Sequence, residues 1–295
     1  MAFLASDEMR GRGSATRDEH LAALFAASQF QALGLTPGGD GGSFIQKITL
    51  PAQLSSRVAH RIAAFENVPR TETWNAVAIL AGSDPGSGAV LLTAHLDHLG
   101  VGPPDQAGDH IYNGADDDAS GSSAVLALAH ALAQGPRPRR SIVFALFGSE
   151  EIGGFGNAGF LARPPVPLQS IVANLEFEMI GRPDSAVGEY RLWLTGYDRS
   201  NLGPELAAHG APLARDPHPA EHFFERSDNI ALARTGIVAQ TVSSFGLHSD
   251  YHRPSDDLST IDFPHLIRAV QSMIEPTRWL ANTDWRPAWN SGGKP

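Results

Sequence analysis

Apolar positions near the start of the chain follow the spacing of an α-helix. Between residues 17 and 35 they recur every three or four positions, which is typical of a helix that buries one face. Gly34 predicts the end of this helix, because glycine is common just past a helix C-terminus. The apolar positions are Leu21, Leu24, Phe25 and Leu33.

Four later apolar runs are short enough to be buried β-strands. They span residues 89–94, 141–147, 171–177 and 236–242, and a helical stretch, residues 120–133, separates the first two. Strands that alternate with helices favour a parallel sheet with helices on both faces. The expected fold class is therefore α/β, a single domain with a mostly parallel, mixed central sheet flanked by helices. Ligands of such sheets bind beyond the carboxyl ends of the strands.

Composition and charge exclude several functions. The 295 residues carry a net charge of −10, which opposes binding to nucleic acid or to anionic membrane surfaces. No apolar run approaches the roughly 20 residues that a membrane span requires. Cysteine is absent, so any metal must be held by His, Asp and Glu. The first residues lack the pattern of a signal peptide, but a trimmed chain would begin in the same way, and export stays open.

Polar residues follow each predicted strand where that strand ends. His95 and Asp97 follow the first strand, Glu150 and Glu151 the second, and Glu178 the third. Three consecutive acids, Asp116, Asp117 and Asp118, precede the helix at 120–133, and His248 and His252 lie near the end of the chain. Imidazole nitrogen and carboxylate oxygen suit zinc and similar cations, so the set predicts a two-metal hydrolytic site.

Each of these groups also has a simpler explanation. The three acids could cap the following helix, Glu150 and Glu151 could be a solvated loop pair, and the two histidines could be ordinary loop residues. Their shared placement at strand ends and in polar loops favours a common site over separate structural roles.

Five motifs in order give the chain a family resemblance. The segments "AHLDHLG", "NGADDDASG", "GSEEIG", "LEFEMIG" and "YHRPSD" resemble the M28 zinc peptidases, most of which are aminopeptidases with two metal ions. The resemblance implies a zinc-exopeptidase-like fold and one catalytic domain over residues 1–295. Some relatives insert a protease-associated domain before the catalytic core, but here only some forty residues separate "SFIQKITLPAQL" from "AVLLTAH", and we expect no such insertion.

The resemblance also implies a set of metal ligands for two Zn²⁺ ions, with other divalent metals as alternatives. Asp117 would bridge the ions, and Asp97 would orient one of the histidines from behind. Well-known relatives carry Asp where this chain has Glu178, so Glu176, two residues away, is a rival ligand. The full set of expected ligands is His95, Asp117, Glu151, Glu178 and His252.

The implied function is a metal-dependent exopeptidase, most simply an aminopeptidase. Glu150 would act as general base on a metal-bridging water, and Tyr251 would either donate to the oxyanion or serve as a packing aromatic. The substrate would be a peptide or an amino-acid amide. Arg226 and Asp228 match a family motif without an assigned role, and an ion pair between them is an alternative.

His98 is expected outside the ligand set as a loop histidine, whereas His248 is close enough to His252 to touch the ligands or the substrate. The oligomeric state, the compartment and the preferred substrate side chain are left open by the sequence.

Other functions compete with this reading. Within the resemblance, another amide hydrolase or a glutaminyl cyclase-like transferase is the alternative, although the presence of His95 favours two metals. From a different class, "GFGNAG" at 154–159 fits a dinucleotide-binding motif of an oxidoreductase, but two carboxylates intervene between it and the preceding strand. A serine hydrolase is disfavoured because the G-x-S-x-G motif is absent.

Overall fold

The computed structural model describes residues 1–295, apart from the side chain of Pro85. The β-strands are β1 (Thr36–Pro37), β2 (Ile45–Thr49), β3 (Glu72–Leu80), β4 (Ala89–His95), β5 (Gly100–Val101), β6 (Ile111–Tyr112), β7 (Ser141–Phe147), β8 (Ile171–Phe177), β9 (Leu192–Leu194), β10 (Leu213–Arg215) and β11 (Val238–Ser243). The α-helices are α1 (Arg17–Ala32), α2 (Ser56–Ala63), α3 (Gly121–Ala133), α4 (Phe155–Ala162), α5 (Leu202–Ala208), α6 (Asn229–Thr235) and α7 (Phe263–Asn282).

A central mixed sheet organises the chain. Its strand order is β1-β3-β7-β4-β8-β11-β9-β10, and β2 pairs with β3 outside this path. The strands β7, β4, β8 and β11 run parallel to one another, and they are the four strands that the apolar runs predicted. Antiparallel pairing of β3 with β7 and of β11 with β9 makes the sheet mixed. The predicted α/β fold class is confirmed.

Both faces of the sheet are covered by helices, which explains why the central strands are apolar throughout. Along β4, Val90 and Leu92 belong to the core cluster shared with α1, α3 and α7. The alternate residues Ala89 and Leu91 belong to the cluster shared with α4 and α6. Successive strand residues point to opposite faces, so a strand buried on both sides needs an unbroken apolar run.

The predicted helices are also present. The first begins at Arg17, where the Thr16 side chain accepts from the N–H groups of Asp18 and Glu19, and it ends at Ala32. Gly34 follows with φ of +70°, a conformation that glycine adopts without strain. The second predicted helix is α3. Among the described residues, none of the helices combines the length and apolar character that crossing a bilayer requires.

The parallel strands bring their carboxyl ends to one edge of the sheet. The strand β4 ends at His95, β7 ends three residues before Glu150, and β8 ends one residue before Glu178. A π-helical turn, Ala115–Ser120, leads into α3 and places the three consecutive acids at the same edge. The fold therefore gathers residues from four separate segments at a single point.

Candidate metal centre

Asp117 lies between two histidines at the centre of the cluster. Its Oδ1 is 3.0 Å from His95 Nε2, and its Oδ2 is 3.1 Å from His252 Nε2. His95 is the last residue of β4 and is buried, whereas His252 comes from a loop some 130 positions after Asp117 and keeps 28% of its side chain exposed. One carboxylate thus faces two imidazoles from opposite sides.

Two groups of potential metal donors share Asp117. One consists of His95, Asp117 and Glu178, and the other of His98, Asp117 and Glu151, with the donor atoms of each group within 4.8 Å of one another. His252 Nε2 lies 3.2 Å from Glu151 Oε1, so it adjoins the second group. All five expected ligands are therefore close together, with Asp117 in the bridging position.

His98 is nearer to this cluster than the sequence suggested. It is fully buried, and its Nδ1 lies 3.0 Å from Glu151 Oε1 and 3.7 Å from Asp117 Oδ2. Its ring packs edge-on against the ring of His252, with 5.6 Å between centroids. The spacing "HLDH" carries no local signal that separates a loop histidine from one that contacts a metal ligand.

Glu178 and Glu176 lie close together, but they differ in their contacts with the cluster. The carboxylate of Glu176 accepts hydrogen bonds from the N–H of Asn229 at 2.7 Å and from Thr241 Oγ1 at 3.2 Å, which ties it to α6 and β11. Glu178 lies beyond the end of β8, and its neighbour Met179 has a positive φ of 52°. The N–H of Glu178 still donates to the carbonyl oxygen of Val242 on β11 at 3.1 Å, and Ser227 lies beside both carboxylates. Of the two acids, only Glu178 belongs to the group of donors with His95 and Asp117.

The other two acids of the triplet hold the backbone of the site. Asp116 Oδ1 accepts from the N–H of Gly181 at 2.7 Å, and its Oδ2 lies 3.0 Å from His248 Nε2. Asp118 accepts from the N–H groups of His95 and Met179 at 3.2 Å and from that of Gly121, the first residue of α3, at 2.9 Å. The helix-capping explanation therefore describes Asp118, while Asp117 faces the cluster.

Asp97 positions the loop that carries Glu150 and Glu151. Its carboxylate accepts from the N–H groups of these two residues at 3.0 and 3.3 Å and also from Ser14 Oγ. His95 Nδ1 lies 3.1 Å from the main-chain oxygen of Asp97 and 3.8 Å from its carboxylate. The main chain of Asp97, more than its carboxylate, therefore orients the His95 ring.

Local backbone strain marks the same loops. Ser149, Met179 and His252 each adopt a positive φ between 52° and 58°, although none of them is glycine. Such conformations cost about 1 kcal/mol or more and cluster where the surrounding structure over-determines the geometry. Each of these residues is His252 itself or adjoins Glu150 or Glu178. Their backbone angles therefore help to determine the direction of these three side chains.

The buried carboxylates of the cluster provide an environment that stabilises a cation. Burial raises the pKa of Glu150 well above its usual range, and the carboxylates of Glu151, Asp228 and Glu178 add to the shift against an opposing effect of His95. Burial also raises the pKa of Glu178 to about 7. Burial lowers the pKa of His252, but Glu151 and Asp117 outweigh it and raise the value to about 11. Negative charges in a poorly solvated place stabilise a cation there.

The donor set fits a pair of divalent ions. It contains imidazole nitrogens and carboxylate oxygens, the atoms that zinc accepts when cysteine is absent. Two of its buried atoms, Asp117 Oδ2 and His252 Nε2, lie 3.1 Å apart but lack the geometry of a hydrogen bond with each other or with any other atom in the described part of the chain. Buried polar atoms are rarely left unpaired, so these two are suited to coordinating a metal.

Tyr251 and Arg226 line the opening of the cluster. Tyr251 stacks on His252, with 3.8 Å between ring centroids, and packs against Phe245. Burial, together with the nearby carboxylates of Asp117 and Glu151, raises the pKa of its phenol, so the hydroxyl remains protonated. Arg226 pairs with Glu221 at 3.2 Å and lies over the ring of Phe223, so the ion pair with Asp228 that the sequence allowed does not form.

Two buried residues that support the site, Arg12 and Glu19, were not among the predicted site residues. The Arg12 guanidinium donates to the carbonyl oxygens of Leu96, Asn113 and Gly114, which flank His95 and the acid triplet. The Glu19 carboxylate accepts from Ser149 Oγ at 3.2 Å, next to Glu150. These contacts link residues about 80 to 130 positions apart, so no local pattern could reveal them.

The glycines of "GFGNAG" serve packing. Gly154 caps the start of α4 with φ of +68°. A side chain at Gly156 would collide with Asn75 and with the main chain of Gly148, so the glycine permits close contact between α4 and the sheet. With Glu150 and Glu151 between β7 and this turn, nothing here favours a dinucleotide pyrophosphate.

Curated relatives share this chain's sequence over limited regions. The probable lipoprotein aminopeptidase LpqL of Mycobacterium tuberculosis is 30% identical over 184 residues, covering 61% of this chain and 32% of that protein. A vacuolar membrane protease of Lachancea thermotolerans is 34% identical over 122 residues, covering 41% of this chain and 11% of that protein. The chain thus spans about a third or less of the length of these relatives.

Solved structures share the fold across nearly the whole chain. BSAP, a zinc aminopeptidase from Bacillus subtilis, superposes with a TM-score of 0.72 at 14% identity, covering 96% of this chain and 94% of that one. The family model of Peptidase family M28 matches residues 75–276, more than half of the chain. This matched region contains His95, Asp117, Glu150, Glu151, Glu178 and His252, and the chain belongs to peptidase family M28.

Proposed function

We propose that this protein is a metal-dependent aminopeptidase that removes N-terminal residues from peptides. The observation that carries the proposal is Asp117, a buried carboxylate shared by two groups of metal donors with Glu150 beside them. The membership in a peptidase family and the zinc aminopeptidase activity named for a structural neighbour support the same chemistry.

His95, Asp117 and Glu178 would hold one zinc ion, and Asp117, Glu151 and His252 would hold the other, with His98 against Glu151. When bound, two divalent ions make water a better nucleophile and polarise the scissile carbonyl. Asp117 would serve both groups of donors, because its two carboxylate oxygens face His95 and His252 respectively.

Glu150 would be the general base. Its carboxylate takes a proton from the attacking water and returns it to the nitrogen of the leaving peptide. Burial raises the pKa of Glu150, which makes its carboxylate a stronger proton acceptor once ionised. Asp97 fixes the loop through the N–H groups of Glu150 and Glu151, so the base and the adjacent ligand keep different directions.

The first residue of the substrate would lie beside Glu178. A small cavity of about 40 Å³ opens there and includes Trp193, Phe223, Phe245 and Tyr251 in its wall. Aromatic walls favour an apolar side chain. The free amino group would face Glu150 and Glu178, and the Tyr251 hydroxyl would donate to the developing oxyanion.

A transferase of the glutaminyl cyclase type is the second candidate. The glutaminyl cyclase of Porphyromonas gingivalis has a TM-score of 0.64 to this chain, at 16% identity, with 93% of this chain covered. Cyclisation of an N-terminal glutamine releases ammonia and no amino acid, so product analysis separates the two reactions.

The test combines metal analysis with a matched pair of substrates. Protein purified without chelator is expected to hold about two zinc ions per chain. It should release leucine from an unblocked Leu-peptide, lose that activity on chelation and regain it with zinc. The same peptide with an acetylated amino terminus should resist cleavage. Cleavage of both peptides at equal rates would contradict an aminopeptidase, and ammonia release from Gln-peptides alone would favour the cyclase.

We also propose that the protein acts outside the cytosol, since the mycobacterial relative is named as a lipoprotein. Fractionation of the native host, with activity found only in cytosol, would contradict this setting.

A further inference from the structure

The small cavity beside Glu178 cannot accommodate the rest of a peptide. A groove of about 880 Å³ begins at the same acids, since Glu178, Glu150 and Tyr251 also line it. Its other walls come from α2, α4 and α6, which contribute Val58, Phe155 and Ile230 among others. The volume of the groove gives room for several residues of a peptide.

The exposed charges along this groove are mainly positive. Arg57, Arg61, Arg226 and Arg234 line it and are exposed, and Glu225 is the one exposed acid among its described lining residues. The chain as a whole has the opposite balance, with 22 basic and 32 acidic residues. The remaining carboxylates of the groove are at least half-buried at its inner end, in the candidate metal centre.

Two of the four arginines, Arg57 and Arg234, have neither a side-chain hydrogen bond nor an ionic partner in the described structure. Arg61 donates to the carbonyl oxygen of Glu151, and Arg226 pairs with Glu221. Arg57 on α2 and Arg234 on α6 make no ion pair with any described carboxylate. Unpaired guanidinium groups on the walls of a groove are available to pair with a carboxylate bound in it.

We propose that the substrate downstream of the scissile bond lies in this arginine-lined groove and that the enzyme prefers peptides carrying a carboxylate there. This inference rests on the proposed aminopeptidase function. The carboxylate can be the α-carboxylate of a short peptide or the side chain of Asp or Glu, since both present the same planar acceptor to arginine. Nucleic acid is a poor occupant because the inner end of the groove is acidic.

Four substrates that differ in one charged group test the preference. They are Leu-Ala-Ala with a free carboxylate, its amide Leu-Ala-Ala-NH2, Leu-Ala-Glu-NH2 and Leu-Ala-Lys-NH2. At low ionic strength, kcat/KM is expected to be about fivefold higher for the favoured acid than for the neutral amide, equivalent to ~1 kcal/mol. For Leu-Ala-Lys-NH2, kcat/KM should be lower than for the neutral amide. Added salt at about 0.5 M should reduce the difference, because these charges are exposed.

The free acid and the Glu-amide separate the two sources of the carboxylate. A gain with the free acid alone assigns the groove to short peptides, and a gain with the Glu-amide assigns it to acidic sequences. A gain with both is also expected if the bound chain can shift in the groove.

The matched variant is Arg57→Gln combined with Arg234→Gln. It should abolish most of the preference, measured as the ratio of kcat/KM for the favoured acid to kcat/KM for the neutral amide. Arg191→Gln, at an exposed arginine outside the groove, changes the net charge by one unit and should leave the preference intact. Equal rates for all four substrates, or a preference unchanged in the double variant, would overturn the inference while leaving the aminopeptidase proposal standing. No leucine release from any of the four would overturn both.

Discussion

The two histidines that flank Asp117 come from contrasting kinds of structure. His95 ends a central strand, is almost completely buried and is held by the main chain of Asp97. His252 sits on a loop with a positive φ of 58°, is partly exposed and leans on Tyr251. The position of His95, on the strand-end side of the site, is therefore fixed by the sheet. The position of His252, on the loop side, depends on contacts among side chains. Changes on the two sides should have different consequences.

The largest effect should come from the strand-end base. Glu150→Gln keeps the size of the side chain but removes its ability to accept a proton, so kcat should fall by roughly 10²–10⁴-fold. Zinc content should be unchanged, since Glu150 is outside the expected ligand set. Glu225→Gln in the same groove is the control and should alter kcat by less than about twofold. Substantial activity in Glu150→Gln would place the base elsewhere.

A paired substitution compares the two sides directly. His95→Gln and His252→Gln should each weaken zinc binding by about 10–100-fold or more, since even groups behind metal ligands have effects of this size. Only His95→Gln should also lower the thermal midpoint measured with zinc chelated, because it disrupts a buried hydrogen bond worth about 1–3 kcal/mol. Chelator competition and thermal unfolding give the two readouts. An equal fall in the thermal midpoint of both variants would contradict the expected difference between His95 and His252.

The pH profile tests the environment of the strand-end base. Glu150 must be ionised to act, so kcat/KM should fall about tenfold per pH unit below its pKa, with a midpoint above the ordinary value of about 4.3. Burial and the neighbouring carboxylates raise the pKa of Glu150, and Asp228 is one of those neighbours. Asp228→Asn should therefore move the acid limb to lower pH, and Glu225→Gln should not. A shift of the acid limb to higher pH in Asp228→Asn would contradict the proposed effect of Asp228 on the pKa of Glu150.

The same contrast explains what the sequence could predict. The four central strands were visible because burial on both faces requires unbroken apolar runs, and the rule for ligands at strand ends located His95, Glu150 and Glu178. The strand β3 and the helix α7 were not predicted. The β3 run pairs with β2 and β7 over long separations, and α7 contains an internal proline, Pro276, that weakens its helical pattern.

For residues on loops, the local pattern of apolar and polar positions did not predict which side chains join the cluster. His252 entered the expected ligand set through the motif "YHRPSD" alone, and His98 was placed outside the cluster that it adjoins. The position of a loop side chain depends on which distant segments pack around it, and these contacts have no period in the sequence. Asp97 shows the same limit, since its support of the Glu150 loop depends on a contact 53 residues away.

Arg12 connects the first residues of the chain to the candidate metal centre. Its guanidinium joins the opening segment to carbonyl oxygens 84 to 102 residues further on, around His95 and the acid triplet. A protease that removed the residues up to Arg12 would leave three buried acceptors without their donor, each costing about 1–3 kcal/mol. A loss of that size is comparable with the whole stability of many domains. Cleavage after Arg12 would thus weaken the candidate metal centre, although residues 1–12 carry none of its expected ligands.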